Sequence, residues 1–166
     1  MIIMGIDPGL ATIGFGVLER QGAGARIIDY GIISTAAGIP LPQRLSIIYN
    51  DLTDLIRRYK PDAVAFEELF FQKNVKTALS VGHARGVCLI AANNILGNEN
   101  LYEYTPLQIK QAVCGYGRAD KLQVQQMVKA LLNLDHIPKP DDAADALAVG
   151  ICHCQSYRLS DEFRMK

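Results

Sequence analysis

The sequence predicts an α/β protein built on a mixed five-stranded sheet with helices on both faces. Two observations lead to this class. Three apolar segments near the start are joined by short turns, and the later segments alternate between helical and strand patterns. Strands joined by short turns form an antiparallel meander, whereas a strand that follows a helix returns parallel to its neighbour. The order β-β-β-α-β-α-β-α-α-α therefore predicts a meander extended by parallel strands.

The three meander strands are expected at residues 2–6, 13–18 and 26–34. The first ends at the turn sequence Asp7-Pro8-Gly9, and a glycine-containing turn at residues 21–24 separates the second from the third. Glycine and proline supply the backbone conformations that such turns need. The turns thus place consecutive strands side by side.

The middle of the chain predicts two helices and two strands. Apolar residues at helical spacing indicate an amphipathic helix over about residues 42–60, which Pro61 ends. Short apolar strands follow at residues 63–66 and 101–104. Between them, residues 77–96 form a helix that is apolar on most of its circumference, so it is either central or shared with a partner subunit.

Three helices are expected after the last strand, at residues 106–113, at 121–133, and from Asp141 or Asp142 to Tyr157. Thr105 before Pro106 suits a helix start, and Asp120 with Gln123 resembles a capping box. Asp141 is expected to cap the last helix. We expect residues 1–158 to form a single domain and residues 159–166 to form a polar, frayed tail.

Composition excludes several classes of protein. The chain has 166 residues, 17 basic and 17 acidic side chains and 49% hydrophobic residues, which suits one globular domain rather than a disordered chain. Its apolar runs are too short to span a membrane, and its first residues lack the pattern of a signal peptide. The four cysteines show no disulfide framework, so we expect a cytoplasmic protein with reduced thiols.

Charge is distributed unevenly along the chain. Residues 70–130 contain seven Lys or Arg and three acids, a balance of +4, which leaves −4 for the remainder of a neutral chain. A basic middle segment is consistent with a phosphate-binding surface beside a carboxylate site. Ordinary unevenness of surface charge is the alternative interpretation.

Four carboxylates stand at unusual places. Asp7 and Glu67 each end an apolar strand, and Asp145 interrupts a run of small apolar residues. Asp142 lies three residues before Asp145, on the same helix face. Asp141 lies four residues before it and shares that face nearly as well, so spacing alone leaves both candidates open.

Gathering four carboxylates requires protons or cations. Two charges about 4 Å apart repel by roughly 4 kcal/mol at an effective dielectric near 20, and several such pairs would exhaust the stability of a domain. Hard oxygen ligands favour Mg²⁺ or Mn²⁺. Two such ions activate a water and stabilise the leaving oxygen in phosphodiester hydrolysis.

Several motifs, taken in order, resemble one family. They are Asp7-Pro8-Gly9, Phe66-Glu67-Glu68-Leu69-Phe70, Gly82-His83-Ala84-Arg85-Gly86, the segment 113–121 and Asp142-Ala143-Ala144-Asp145. With this order and spacing, the chain resembles the RuvC-type crossover junction endodeoxyribonucleases, the bacterial Holliday-junction resolvases. The resemblance covers nearly the whole chain.

The resemblance implies an RNase H-like fold and Mg²⁺-dependent cutting of two opposed strands in a four-way DNA junction, in recombination and repair. It implies two Mg²⁺ ions per site, with Mn²⁺ as a substitute, and a branch-migration motor complex as partner. Asp7, Glu67, Asp142 and Asp145 fall on the family's four acidic positions, which favours Asp142 over Asp141. Phe70 matches an aromatic residue that contacts bases near the junction, and Lys110 and Lys121 match basic residues implicated in DNA contact.

The resemblance also implies a homodimer, and helix 77–96 offers a surface for it. This helix is apolar on more sides than one sheet covers, and Gly82, Ala84 and Gly86 allow close approach of a second chain. We expect both acidic sites to open on one basic face. That face would be lined by Lys73, Lys76, Lys110, Arg118 and Lys121.

Three other functions are weaker matches to the sequence. An actin-like or sugar-kinase ATPase needs two domains around a nucleotide cleft, for which 166 residues are too few. A junction-binding protein without chemistry would gain affinity by losing its four acids. A second bacterial family of RNase H-like resolvases lacks the Glu-x-x-Phe and Asp-Ala-Ala-Asp patterns found here.

Overall fold

The computed structural model describes residues 1–22, 24–69, 75–157 and 162–165, without the side chains of residues 75–77. Phe70 and Lys73, both expected to contact DNA, lie outside the described residues. The backbone of Lys76 is described as helical, but its side chain is not. Among the described residues, no helix is both long and apolar enough to cross a membrane.

The predicted mixed sheet is confirmed. Its five strands are β1 (Ile2–Asp7), β2 (Thr12–Gln21), β3 (Gly24–Ser34), β4 (Ala63–Glu67) and β5 (Leu101–Tyr104). They lie in the order β3-β2-β1-β4-β5. The first three pair antiparallel, and β4 and β5 extend the sheet in parallel from β1, so the predicted meander and its parallel extension are both present.

Within the described residues, five α-helices cover the two faces of this sheet. They are α1 (Leu41–Tyr59), α2 (Val75–Leu96), α3 (Pro106–Cys114), α4 (Lys121–Leu131) and α5 (Asp141–Ser156), and a short 3₁₀ helix spans Asn98–Asn100. Apolar residues of α1 and α2 pack on one face, and those of α3, α4 and α5 pack on the other. Period-two alternation along the strands supplies both layers, because successive side chains point to opposite faces.

The three predicted helix starts are confirmed, but the expected cap of the last helix is wrong. Thr105 with Gln108, and Asp120 with Gln123, form complete capping boxes for α3 and α4. Asp141 does not cap α5, because Pro140 occupies the N-cap position. The carboxylate of Asp141 instead accepts a hydrogen bond from Lys139 Nζ at 2.7 Å.

Residues 162–165, the described part of the expected tail at 159–166, are held more firmly than a frayed tail would be. Arg164 forms an antiparallel bridge with Tyr102, and the Met165 N–H donates to the Leu101 carbonyl at 2.9 Å. Phe163 packs against the core. Apolar contact and backbone pairing with β5 overcome the polar composition of this segment.

Candidate active site

Two carboxylates end neighbouring parallel strands. Ile6 of β1 lies opposite Phe66 of β4, and the next residue on each strand is an acid, Asp7 and Glu67. Ile6 and Phe66 are buried in the layer that includes α1 and α2. By alternation, the two acids therefore face the α5 side of the sheet, at its carboxyl edge.

Helix α5 brings two more acids to this edge because it packs against glycines. A Cβ atom on Gly14 would lie 1.9 Å from the carbonyl oxygen of Asp142, and one on Gly5 would lie 2.2 Å from that of Ala146. Gly14 is also the β2 partner of Asp7. Any side chain at these two strand positions would push α5 away from the sheet, and Asp142 and Asp145 with it.

The electrostatics of Asp7 reflect this gathering of charge. Burial, followed by repulsion from Glu67, Asp145 and Asp142, raises the pKa of Asp7 to about 7. Asp141 is not among the causes. Of the two aspartates that spacing left open, Asp142 is therefore the one whose charge acts on Asp7.

The pKa values of Glu67 and Asp145 are also raised. Burial and the charge of Asp145 raise the pKa of Glu67, while Lys110 and Lys121 partly offset the effect. Burial also raises the pKa of Asp145, against the opposing effect of its hydrogen bond with Lys121. The acids thus form one coupled group rather than four independent surface charges.

Lys110 and Lys121 lie beside this group of carboxylates. Lys121 Nζ lies 2.9 Å from Asp145 Oδ2 and 3.7 Å from Asp141 Oδ2. Burial disfavours the charge of Lys121, but the hydrogen bond with Asp145 and the charges of Asp145, Asp141 and Asp142 together outweigh it, so the pKa of the lysine is raised. A cavity of about 190 Å³ opens here and is lined by Glu67, Pro106, Ile109, Lys110, Lys121, Val124, Asp145 and Ala148.

The site suits a hard divalent cation in the chemistry of its donors. Carboxylate oxygens are the ligands that Mg²⁺ and Mn²⁺ prefer, and a cation would relieve the repulsion from Glu67, Asp145 and Asp142 that, after burial, contributes to the raised pKa of Asp7. Across the described part of the chain, no three His, Cys, Asp or Glu side chains already stand as ligands of one ion.

The other residues expected to contact DNA occupy different settings. Lys110 lies on α3 and lines the cavity, while Arg118 lies exposed in the loop between α3 and α4. Sequence reasoning missed the role of Gly5 and Gly14, although an acid-bearing helix rich in alanine signals close packing. It also missed the ion pair between Lys121 and Asp145.

The sheet order, the helices on both faces and the acids at one sheet edge define an α/β protein of the RNase H-like class. The family model described as crossover junction endodeoxyribonuclease RuvC matches residues 3–153. A crossover junction endodeoxyribonuclease RuvC from Alkaliphilus oremlandii is 56% identical over 166 residues, all of both chains. The chain belongs to the RuvC family of crossover junction endodeoxyribonucleases.

Solved structures agree with this assignment. The structure of Thermus thermophilus RuvC in complex with a Holliday junction substrate matches with a TM-score of 0.89 and 36% identity, over 96% of each chain. This match confirms the RNase H-like fold. The yeast mitochondrial Holliday junction resolvase, at 13% identity, shares the fold with a TM-score of 0.68, covering 98% of this chain and 81% of that one.

Proposed function

We propose that this protein resolves four-way DNA junctions by hydrolysing phosphodiesters in two opposed strands, in recombination and DNA repair. Family membership over the whole chain supports the reaction, and the Thermus thermophilus complex supports the substrate. The observation that carries the proposal is the group of carboxylates at one edge of the sheet, where burial and the neighbouring negative charges together raise the pKa of Asp7 to about 7. Such a group would lower the DNA affinity of a protein that only bound DNA, because carboxylates repel phosphate.

Asp7, Glu67, Asp142 and Asp145 are the proposed catalytic and metal-binding residues, with two Mg²⁺ ions per site and Mn²⁺ as a substitute. Bound divalent ions would supply Lewis-acid activation of water and charge stabilisation at the leaving oxygen. The chain's own residues provide the remaining functions. The acids would hold the ions, and the close packing of α5 on Gly5 and Gly14 sets where Asp142 and Asp145 lie relative to Asp7.

Basic side chains offset the negative site for an approaching phosphate. Lys110 lowers the pKa of Glu67, and Lys121 lowers those of Glu67 and Asp145, so their positive charge already acts on these carboxylates. If a cation neutralised Asp145, the ammonium of Lys121, now 2.9 Å from Asp145 Oδ2, would be free to contact a phosphate oxygen. The proposed DNA surface comprises Lys73, Lys76, Lys110, Arg118 and Lys121, with Phe70 stacking on a base at the crossover.

A homodimer would present two such sites to a junction of near two-fold symmetry. The exposed apolar residues of α2 support this assembly: Leu79 is 60% exposed and Ile90 is 48% exposed. A Cβ atom on Gly82 or Gly86 would meet nothing within 4 Å, so a second chain has room to approach the helix backbone. A branch-migration motor complex is a further proposed partner, and the cytoplasm is the proposed compartment.

Incubation with a synthetic four-way junction and Mg²⁺ tests the proposal, with a linear duplex of the same arm sequence as the control substrate. We expect paired nicks in opposed strands of the junction and an intact duplex. Glu67→Gln protein is the matched control, because it should bind the junction without cutting it. Equal cutting of the duplex, or an intact junction with the wild-type protein, would contradict the proposed function.

A further inference from the structure

Residues 162–165 pair with the first residues of β5, the outer strand of the sheet. β5 is the last strand in the sheet order, which leaves one of its edges without a neighbouring strand. Arg164 bridges to Tyr102 on this strand, and the Met165 N–H donates to the Leu101 carbonyl at 2.9 Å. The end of the chain thus runs antiparallel along β5 as a strap.

The strap also carries an aromatic contact to the inner layer. The ring of Phe163 lies 4.9 Å from that of Tyr104, centroid to centroid, with the two planes at 38°. Tyr104 is almost completely buried, and its hydroxyl hydrogen-bonds with His153 Nδ1 at 2.8 Å. Phe163 therefore stands over the point where β5 meets α5, the helix that carries Asp142 and Asp145.

Tyr104 is the β5 residue nearest in register to an active-site acid. It pairs with Glu67 in the parallel ladder of β4 and β5. Its carbonyl accepts a hydrogen bond of 2.9 Å from the N–H of Glu68, directly after Glu67. The backbone of Tyr104 therefore holds the end of β4 in place.

We propose that Phe163 is a positioning residue for Glu67. It acts through Tyr104: the aromatic contact and the strap hold β5 against α5, and β5 holds the backbone at Glu67 and Glu68. This proposal rests on the proposed function, because it assigns Glu67 a place among the metal-binding carboxylates. Misplacing a reacting group by about 1 Å costs on the order of 100-fold in rate, so a contact remote from the chemistry matters.

The competing interpretation is that Phe163 only shields the core. Under that interpretation, its loss lowers stability in the same way as any other truncation of the apolar layer. Ile33→Ala provides the matched control, because Ile33 is a buried residue on β3, at the opposite end of the sheet. The two variants are compared under conditions of equal global stability.

Amide hydrogen exchange tests the positioning without reference to activity. In Phe163→Ala, we expect the Glu68 N–H to exchange about 10-fold faster than in the wild type, with no such change in Ile33→Ala. Phe163→Leu keeps an apolar side chain and should restore most of the protection, and it is the variant to measure if Phe163→Ala fails to fold. Wild-type exchange at Glu68 in a folded Phe163 variant would overturn the proposal.

Metal dependence of junction cleavage is the second readout. In Phe163→Ala, the Mg²⁺ concentration for half-maximal cleavage should rise by about 10-fold, the scale of losing a residue that orients a ligand. Junction binding without metal should stay within about twofold of wild type. A Mg²⁺ requirement identical to that of Ile33→Ala would overturn the proposal. If the wild-type protein cuts no junction, the proposed function fails, and hydrogen exchange at Glu68 alone decides whether the strap positions this part of the chain.

Discussion

Helices α5 and α2 share a sequence signature but differ in how they are covered. Both are too apolar for a surface helix with one buried stripe. On α5, every residue from Ala146 to Cys154 is buried within the subunit. On α2, Leu79, Ile90 and Ile95 remain exposed. The same apolar pattern thus occurs in two settings. The protein's own sheet covers α5, whereas part of the apolar surface of α2 stays exposed.

Glycines explain the difference in physical terms. The glycines Gly5 and Gly14 belong to the sheet, and the backbone of α5 passes directly over them. In α2 the glycines lie on the helix itself, and added Cβ atoms at Gly82 and Gly86 would meet open space. The backbone of α5 already lies against the sheet at Gly5 and Gly14. The backbone of α2 at Gly82 and Gly86 is open to contact with another molecule.

The largest expected effect lies at the start of α5. Asp142→Asn should reduce junction cleavage at least about 100-fold, because it removes a proposed metal ligand. Asp141→Asn, one residue earlier, should change the rate by less than about twofold, since Asp141 pairs with Lys139 at the surface. Single-turnover cleavage at saturating Mg²⁺ measures both. The opposite ranking would show that Asp141, not Asp142, is the ligand.

The second effect concerns α2. Ile90→Asp should convert the proposed dimer into a monomer, because the interface would bury an unpaired charge. The stability of the subunit should change by no more than about 0.5 kcal/mol, since Ile90 is exposed in it. Sedimentation at micromolar concentration measures the assembly. Ile28→Asp on β3, a similarly exposed site, serves as the control and should leave assembly unchanged.

If the wild-type protein sediments as a monomer, α2 does not form the proposed dimer interface. The exposed residues of α2 would then be ordinary surface composition. A dimer that survives Ile90→Asp would place the interface elsewhere.

The third effect tests the close packing of α5. Gly14→Ala should lower the free energy of unfolding by about 3 kcal/mol, because its Cβ would meet the Asp142 carbonyl oxygen and neither backbone yields easily. Gly38→Ala adds the same methyl group where nothing lies within 4 Å, and should be nearly neutral. Urea denaturation compares the two. Equal stability of both variants would show that α5 shifts without cost.

The smallest effect is a pH dependence at Asp7. Its pKa is about 7 in the folded protein against 3.8 for an ordinary aspartate, so the metal-free fold loses stability as the pH rises through this window. Asp7→Asn cannot ionise and should be more stable than the wild type at pH 8, by about 1–3 kcal/mol. Thermal unfolding in chelator measures the difference. Asp51→Asn, at an exposed site on α1, should show none.

Divalent cations should reverse that ranking. Added Mg²⁺ relieves the repulsion at Asp7 and stabilises the wild type, while Asp7→Asn gains less. Identical stabilisation of both proteins by Mg²⁺ would indicate that the ion binds away from Asp7.

Much of the architecture was predictable from local signals. Short apolar segments joined by turn residues indicated the meander. Thr105 before Pro106 and the capping box at Asp120 marked helix starts that the structure confirms. The start of α5 was harder, because the expected cap at Asp141 is absent and Pro140 holds that position. Local spacing also left Asp141 and Asp142 nearly equivalent, since three and four residues both return to the same helix face.

The sequence by itself determined the strand and helix order, the four acids at element ends and the family resemblance, because these depend on local periodicity and motif spacing. Only the tertiary structure decided which aspartate of α5 lies near Asp7, how Gly14 admits that helix to the sheet, and where the end of the chain packs. Those outcomes depend on contacts between residues far apart in the chain, such as Gly14 with Asp142 and Phe163 with Tyr104. Such contacts arise from the packing of whole elements, and local pattern carries no record of their distances.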